Sequence, residues 1–380
     1  MKAAYSSYEA QGSGLDIHKL FRQLQAHNHN AIGYPTAKGY DYSSLYPFLT
    51  MPVNNCGDPY GSSTYKVQTH QVEREVVSFM ADLFRAPKDD HWGYVTNGGT
   101  EGNLYGLYLA RETFPEATAY YTKAAHYSIR KNLDLLRIQA VEIEVDATDS
   151  MDLHDFRKKL NVNAPAIVMA TCGTTMRQGR DDVIQIKKIL KDTGVCDHYI
   201  HCDAALDGMI APFLSPRPAF DFVDGSDSIS VSGHKFIGCP IPCGIVICRR
   251  HKVEAISRYI PYINGYDDTI TGSRNGITPL FLWYAINKIK KKGLAAKVKD
   301  CVERAEYACR KLRQLGVSAK LNQNTITVVF PRPPQSLVEK WQLATQGNIA
   351  HLLTVPGVSY ENIDVFSEEL AGLLKRSVQA

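Results

Sequence analysis

Residues 166–203 read AIVMATCGTTMRQGRDDVIQIKKILKDTGVCDHYIHCD, and this stretch decides the fold. Ala166–Thr171 is a short apolar run, Val183–Lys191 carries a helical pattern, and Tyr199–Asp203 is strand-like again. Working outward, the same alternation recurs. Strand-like runs lie at Gly93–Thr96, Ala119–Thr122, Ala140–Val145, Ser228–Ser232 and Gly244–Cys248, with helical patterns at Thr100–Thr113, Ser128–Arg137 and Leu153–Leu160. Strands alternating with helices predict an α/β fold with a mostly parallel sheet and right-handed crossovers. Functional groups then gather beyond the strands' carboxyl ends. The first fifty residues read as an irregular, aromatic-rich arm with Tyr34, Tyr40, Tyr42 and Tyr46. Past Gly276 a long helical region runs to about Leu315, broken at Gly293, and a strand follows at Ile326–Phe330. The expected organisation is an arm over 1–50, a large α/β domain over 51–275 and a smaller α+β domain over 276–380.

The 380 residues are 44% apolar and 22% charged, which excludes intrinsic disorder. A net charge of +4 is too small and too evenly spread to point to nucleic acid or an anionic membrane. The basic cluster Lys288, Lys290, Lys291 and Lys292 reads as a solvated helix face. No apolar run reaches the ~20 residues that span a bilayer, and the N-terminus has no secretory pattern. Nine cysteines, several inside apolar runs, do not form a disulfide framework. The expectation is a cytoplasmic, reduced protein.

Four features end strands. Gly98-Gly99-Thr100 opens a helix, where backbone N–H groups and a hydroxyl can hold a phosphate, or where Thr100 simply caps the helix. Asp203 closes one buried strand and either turns the chain or serves as a buried acid. Lys235 sits before the apolar Phe236-Ile237-Gly238, so its amine either snorkels to water or is desolvated for Schiff-base chemistry. His126 ends the strand before Ser128–Arg137. His198, His201, Cys202 and Asp203 crowd together near Cys239 and Cys243, but strand alternation splits them and no CxxC or HExxH spacing occurs, so no metal site is expected. Jointly, a phosphate cradle, an aromatic ring, a carboxylate and an apolar-flanked lysine fit pyridoxal phosphate, whose aldehyde needs a lysine and whose ring nitrogen needs an acid.

TNGGTEGN, AHYS, HCDAAL, VSGHKFIGCPIPCG and GSRNG occur in this order. This set resembles the group II pyridoxal-phosphate-dependent decarboxylases, most of all the short bacterial histidine decarboxylases and their plant serine decarboxylase relatives. The likeness runs from Ala31-Ile32-Gly33-Tyr34-Pro35 to His351. It implies the fold-type I, PLP-dependent transferase-like architecture. Lys235 would be the Schiff-base lysine, Asp203 the partner of the ring nitrogen, and His126 the ring's stacking partner beside the amino-acid substrate. Ala205 would pack the opposite ring face, and Thr175 would lie near the phenolic oxygen. Gly99, Thr100, Ser232 and His234 would hold the phosphate. Ser273 would reach the phosphate of a neighbouring subunit, which requires a homodimer or a higher homo-oligomer with shared sites. Two departures stand out. Ile277 replaces the histidine that follows SRNG in the relatives, and the catalytic loop is short between Lys252 and Asp268, where Tyr262 would take its tyrosine's role.

The resemblance implies decarboxylation of an amino acid, with histidine the first expectation and serine, or another small polar amino acid, the alternative. An aminotransferase or lyase on the same scaffold is the nearest rival, because the cofactor residues alone do not fix which bond breaks. A non-catalytic homologue is disfavoured by the complete set of Lys235, Asp203 and His126.

Overall fold

The computed structural model describes residues 16–379. Asp16 caps α1 (Ile17–Asn30) by accepting from the Lys19 N–H, and Ile17, Leu20 and Leu24 recur at helical spacing. The arm is therefore not the irregular segment the sequence suggested: it begins with an amphipathic helix whose apolar stripe is exposed. After α2 (His70–Leu83) come the seven strands of the main sheet. These are β1 (Trp92–Thr96), β2 (Thr118–Thr122), β3 (Ala140–Ile143), β4 (Ala166–Thr171), β5 (His198–Asp203), β6 (Ser228–Ser232) and β7 (Gly244–Cys248). Their order is β1-β7-β6-β5-β4-β2-β3. Only β7 runs against its neighbours. β3 stops two residues early because Val145 bridges Met151 instead.

Helices α3 (Gly99–Thr113), α4 (Ser128–Leu136), α5 (Leu153–Lys159) and α6 (Val183–Asp192) cover both faces of this sheet. Along β4, Ile167 and Met169 join Tyr105 and Leu109 on the α3 face, while Val168 and Ala170 pack with Phe156 and Ile186 behind. Burial on both faces explains why these strands read as continuous apolar runs. α3 sits unusually low on the sheet. A Cβ on Gly106 would lie 2.0 Å from His201 Nδ1, and one on Gly102 would lie 2.8 Å from the Ser230 side chain.

After α7 (Arg250–Glu254) and the hairpin β8 (Tyr259–Ile260) and β9 (Gly265–Tyr266), α8 spans Ile277–Gln314. Its break falls at Lys290, with φ +59°, and not at Gly293. Lys290, Lys291 and Lys292 are exposed, and the change of register falls between the buried Ile286 and Leu294, where Lys291 pairs with Asp82. A second, antiparallel sheet follows, made of β10 (Lys320–Leu321), β11 (Thr327–Pro331), β12 (Ala344–Gln346) and β13 (Ile349–Leu353). It is accompanied by α9 (Gln335–Trp341) and α10 (Tyr360–Gln379). The two sheets are tied through the loop after β4. Gln178 and Arg180 both donate to buried Asp207 at 2.5 Å, while the Arg180 guanidinium reaches the Gln323 and Asn324 carbonyls and Gln178 Oε1 accepts from Ile326 and Thr327.

Candidate active site

The carboxyl ends of β1, β2, β4, β5 and β6 converge on one cavity of about 140 Å³. Its walls contain Gly99, Thr100, His126, Thr175, Asp203 and Ala205, and Ser232, His234 and Lys235 close it from β6. Nine of the eleven residues singled out in the sequence thus meet at one place, although they come from five different strand ends. The other two do not reach it within this chain. Ser273 is exposed and accepts from Asn54 Nδ2 at 3.1 Å, and Tyr262 stands 81% exposed on the turn Pro261–Ile263.

One end of the cavity is the start of α3, whose first N–H groups lack intrahelical partners and carry the positive end of the helix dipole. The helix begins at Gly99 with Gly98 at its cap, so Thr100 is not the cap but lies inside the first turn. A Cβ on Gly99 would fall 2.8 Å from Ser232 Oγ, so only glycine leaves this end open. Thr100, Ser232 and His234 add side-chain donors, a set suited to an anion such as a phosphate.

At the other end Asp203 terminates β5, with 5% of its surface exposed. Its Oδ1 accepts from the Ala205 N–H at 3.1 Å and its Oδ2 from Asn103 Nδ2 at 2.8 Å. Lys235 faces the same cavity. Burial pushes its pKa below the ordinary lysine value, and Asp203 and Asp207 pull partly back. A lysine so placed is more readily neutral, the form that attacks an aldehyde. The loop that carries it is latched from outside. Ala37 N–H donates to the Lys235 carbonyl, Tyr40 to the Phe236 carbonyl and Tyr42 to the carbonyls of Ile237 and Gly238.

His126 lies over the cavity between β2 and α4. Ser128 approaches its Nδ1 with both Oγ, at 2.8 Å, and the backbone N–H, at 3.4 Å. An N–H aimed at Nδ1 makes that nitrogen an acceptor and leaves the proton on Nε2. Burial lowers the pKa of His126, and Lys235 lowers it further while Asp203 opposes. The ring is therefore a neutral, oriented imidazole. His126, Thr175, His234 and Lys235 also border a larger cleft of about 760 Å³, which extends past Tyr34 to His351 and connects the cavity to the surface.

Sequence reasoning missed Asn103, Ser128 and Thr171, which also line the cavity. Asn103 carried a signal, since it lies three residues after Thr100 and shares its helix face. His201, weighed as a metal ligand, is fully buried and bonded to Asn103 and Ser228.

The donor set fits pyridoxal phosphate: an open helix N-terminus for the phosphate, a desolvated amine for the aldehyde and a buried carboxylate opposite. Residues 38–330 match the pyridoxal-dependent decarboxylase conserved domain, and the chain belongs to that family; it is a pyridoxal-phosphate-dependent amino-acid decarboxylase. Among its relatives is the histidine decarboxylase of Mesorhizobium japonicum, 44% identical over 93% of this chain and 96% of the relative. The serine decarboxylase 3 of Oryza sativa is 45% identical, covering 89% of this chain and 77% of that one. The crystal structure of L-methionine decarboxylase from Streptomyces superposes with a TM-score of 0.87 at 24% identity, covering 94% of this chain and 96% of that chain, a likeness of fold.

Proposed function

We propose that the protein converts L-histidine to histamine and CO2. The observation that carries this reading is the near end-to-end match to a histidine decarboxylase, at 93% and 96% coverage of the two chains. The rice serine decarboxylase supports the alternative, ethanolamine from serine. Bound pyridoxal phosphate supplies an electron sink for the pair left on Cα when CO2 departs. The protein's own groups do the rest. Lys235, whose amine burial makes more readily neutral, would hold the cofactor's aldehyde. Asp203 would accept a hydrogen bond from the protonated ring nitrogen, and such an ionic hydrogen bond would favour the charge distribution of the transition state. His126 would stack on one face of the ring and Ala205 would pack against the other, since both line the cavity. Thr175 would lie near the phenolic oxygen, and Gly99, Thr100, Ser232 and His234 would hold the phosphate. One proton is taken up per carboxylate lost.

The working unit in this reading is a cytoplasmic homodimer with shared sites. Ser273, exposed and outside its own cavity, would reach the partner's phosphate, and Tyr262, also exposed, would take the loop tyrosine's role. The exposed stripe of Ile17, Leu20 and Leu24 on α1 supplies apolar surface for the contact. The test is to load purified protein with pyridoxal phosphate and supply each of the twenty amino acids in turn, measuring CO2 and amine. Histamine from histidine at the highest kcat/KM is expected. Ethanolamine as the main product would transfer the assignment to serine, and a keto acid without CO2 would overturn decarboxylation.

A further inference from the structure

Behind Asp203 lies a buried polar chain that the chemistry above does not use. Tyr199, Asn103, His201, Ser228 and Ser230 are each 0–2% exposed, so water cannot complete their hydrogen bonds. Asn103 Nδ2 donates to Asp203 Oδ2 at 2.8 Å. Asn103 Oδ1 faces His201 Nε2 at 3.0 Å and accepts from Ser230 Oγ. His201 Nδ1 lies 2.7 Å from Ser228 Oγ, and Tyr199 donates to that oxygen at 3.0 Å.

These contacts admit one arrangement of protons. A carboxylate only accepts, so Asn103 must turn its NH2 toward Asp203 and its carbonyl away. The carbonyl, which also accepts from Ser230, carries no hydrogen of its own, so its 3.0 Å contact with Nε2 places the His201 proton on that nitrogen. In the neutral ring Nδ1 then accepts, so Ser228 donates to it and takes its own hydrogen bond from Tyr199. Burial, opposed by Asp203, pushes the pKa of His201 down to about 4, which keeps the ring neutral. Every hydrogen in the chain points toward Asp203.

We propose that His201 and Asn103 are positioning residues, the last links of a one-way relay from Tyr199 and Ser228 that holds the Asp203 carboxylate as an acceptor facing the ring nitrogen of the cofactor. The relay rests on the reading of Asp203 given above. It depends on α3 riding low on the sheet, because only the missing side chain of Gly106 leaves room for the His201 ring. In such a network each bond polarises the next, so a break two links away is felt at the carboxylate.

The test compares the affinity of full-length apoprotein for pyridoxal phosphate with that for its 1-deaza analogue, which has CH in place of the ring nitrogen. Phosphate and aldehyde contacts are common to both, so their ratio reads the Asp203 contact alone. In His201→Leu the preference for pyridoxal phosphate is expected to fall by about tenfold, the worth of one hydrogen bond. His201→Gln, whose amide keeps a donor toward Asn103, is expected to retain most of it. Ser228→Ala leaves the ring packing intact and is expected to lower the preference by about threefold, which keeps the test open if His201→Leu does not fold. A ratio unchanged in Ser228→Ala and in any His201→Leu that folds, with both ligands weakened alike, would show a structural role and overturn the relay. A wild-type protein without any preference would overturn the relay together with the reading of Asp203.

Discussion

Arg274→Met is expected to cost the cofactor-loaded protein about 3–5 kcal/mol, and the reason is a single buried ion pair. Arg274 and Glu73 are 4% and 0% exposed. One guanidinium nitrogen pairs with Glu73 Oε1, another donates to the Gly57 carbonyl at 2.9 Å, and the group lies 5.3 Å over the Tyr94 ring. Glu73 also accepts from Val95 N–H at 2.8 Å and from Asn55 Nδ2 at 2.7 Å. Removing the cation leaves a buried carboxylate with two neutral donors, and it orphans the Gly57 carbonyl as well. The Arg274 N–H and carbonyl also pin Asn54 and Asn55 against the segment that carries Ser273. Equilibrium urea unfolding measures the effect. Adding Glu73→Gln to Arg274→Met removes the stranded charge and is expected to recover at least about 1 kcal/mol, the coupling of groups in contact. A single variant that loses under about 1 kcal/mol, or a double variant no more stable than the single, would refute the reasoning.

Two further outcomes follow from the same structure. The pKa of His201 is about 4 in the folded protein against 6.5 for a free histidine, so between those values the unfolded chain binds the extra proton. Its contribution is complete above pH 6.5 and is lost as pH falls toward 4, about 3 kcal/mol in all. Because buried Asp181, pushed up to about 7, gives the opposite slope, the effect is read as the difference between wild-type and His201→Gln stability across pH 4–7, and equal profiles would contradict it. For Ser273, mixed dimers of a Lys235→Ala chain and a Ser273→Ala chain are expected to hold one intact site that binds cofactor with wild-type affinity. Titration that finds only impaired sites would place Ser273 in its own chain's site.

Strands β1, β4, β6 and β7 were legible because they are buried along their whole length. In contrast β3, with Glu142 exposed and only Ile143 buried, carried a weaker signal and was read two residues too long. Lys235 was legible for the opposite reason, a charge among apolar neighbours. What the sequence did not show depends on contacts between distant segments. Asn103 and His201 meet across 98 positions only because Gly102 and Gly106 let α3 settle on β5 and β6. Read singly, the glycines are helix weaknesses and the histidine a stray ligand. The stripe of Ile17, Leu20 and Leu24 did carry helical periodicity, but the surrounding histidines, asparagines and turn residues masked it. The break at Lys290 has no residue signal of its own, since a run of lysines is good helix sequence. Tyr40 and Tyr42 were visible as an aromatic cluster, yet their use as latches on the Lys235 loop follows only from how the arm folds back.

The most direct test of the account is where the cofactor attaches. Protein loaded with pyridoxal phosphate is reduced with borohydride, digested, and the pyridoxyl-bearing peptide is sequenced by mass spectrometry. The account predicts a single modified site at Lys235, and none in Lys235→Ala, which still folds. Stoichiometric label on any other lysine, or undiminished label in the variant, would contradict it.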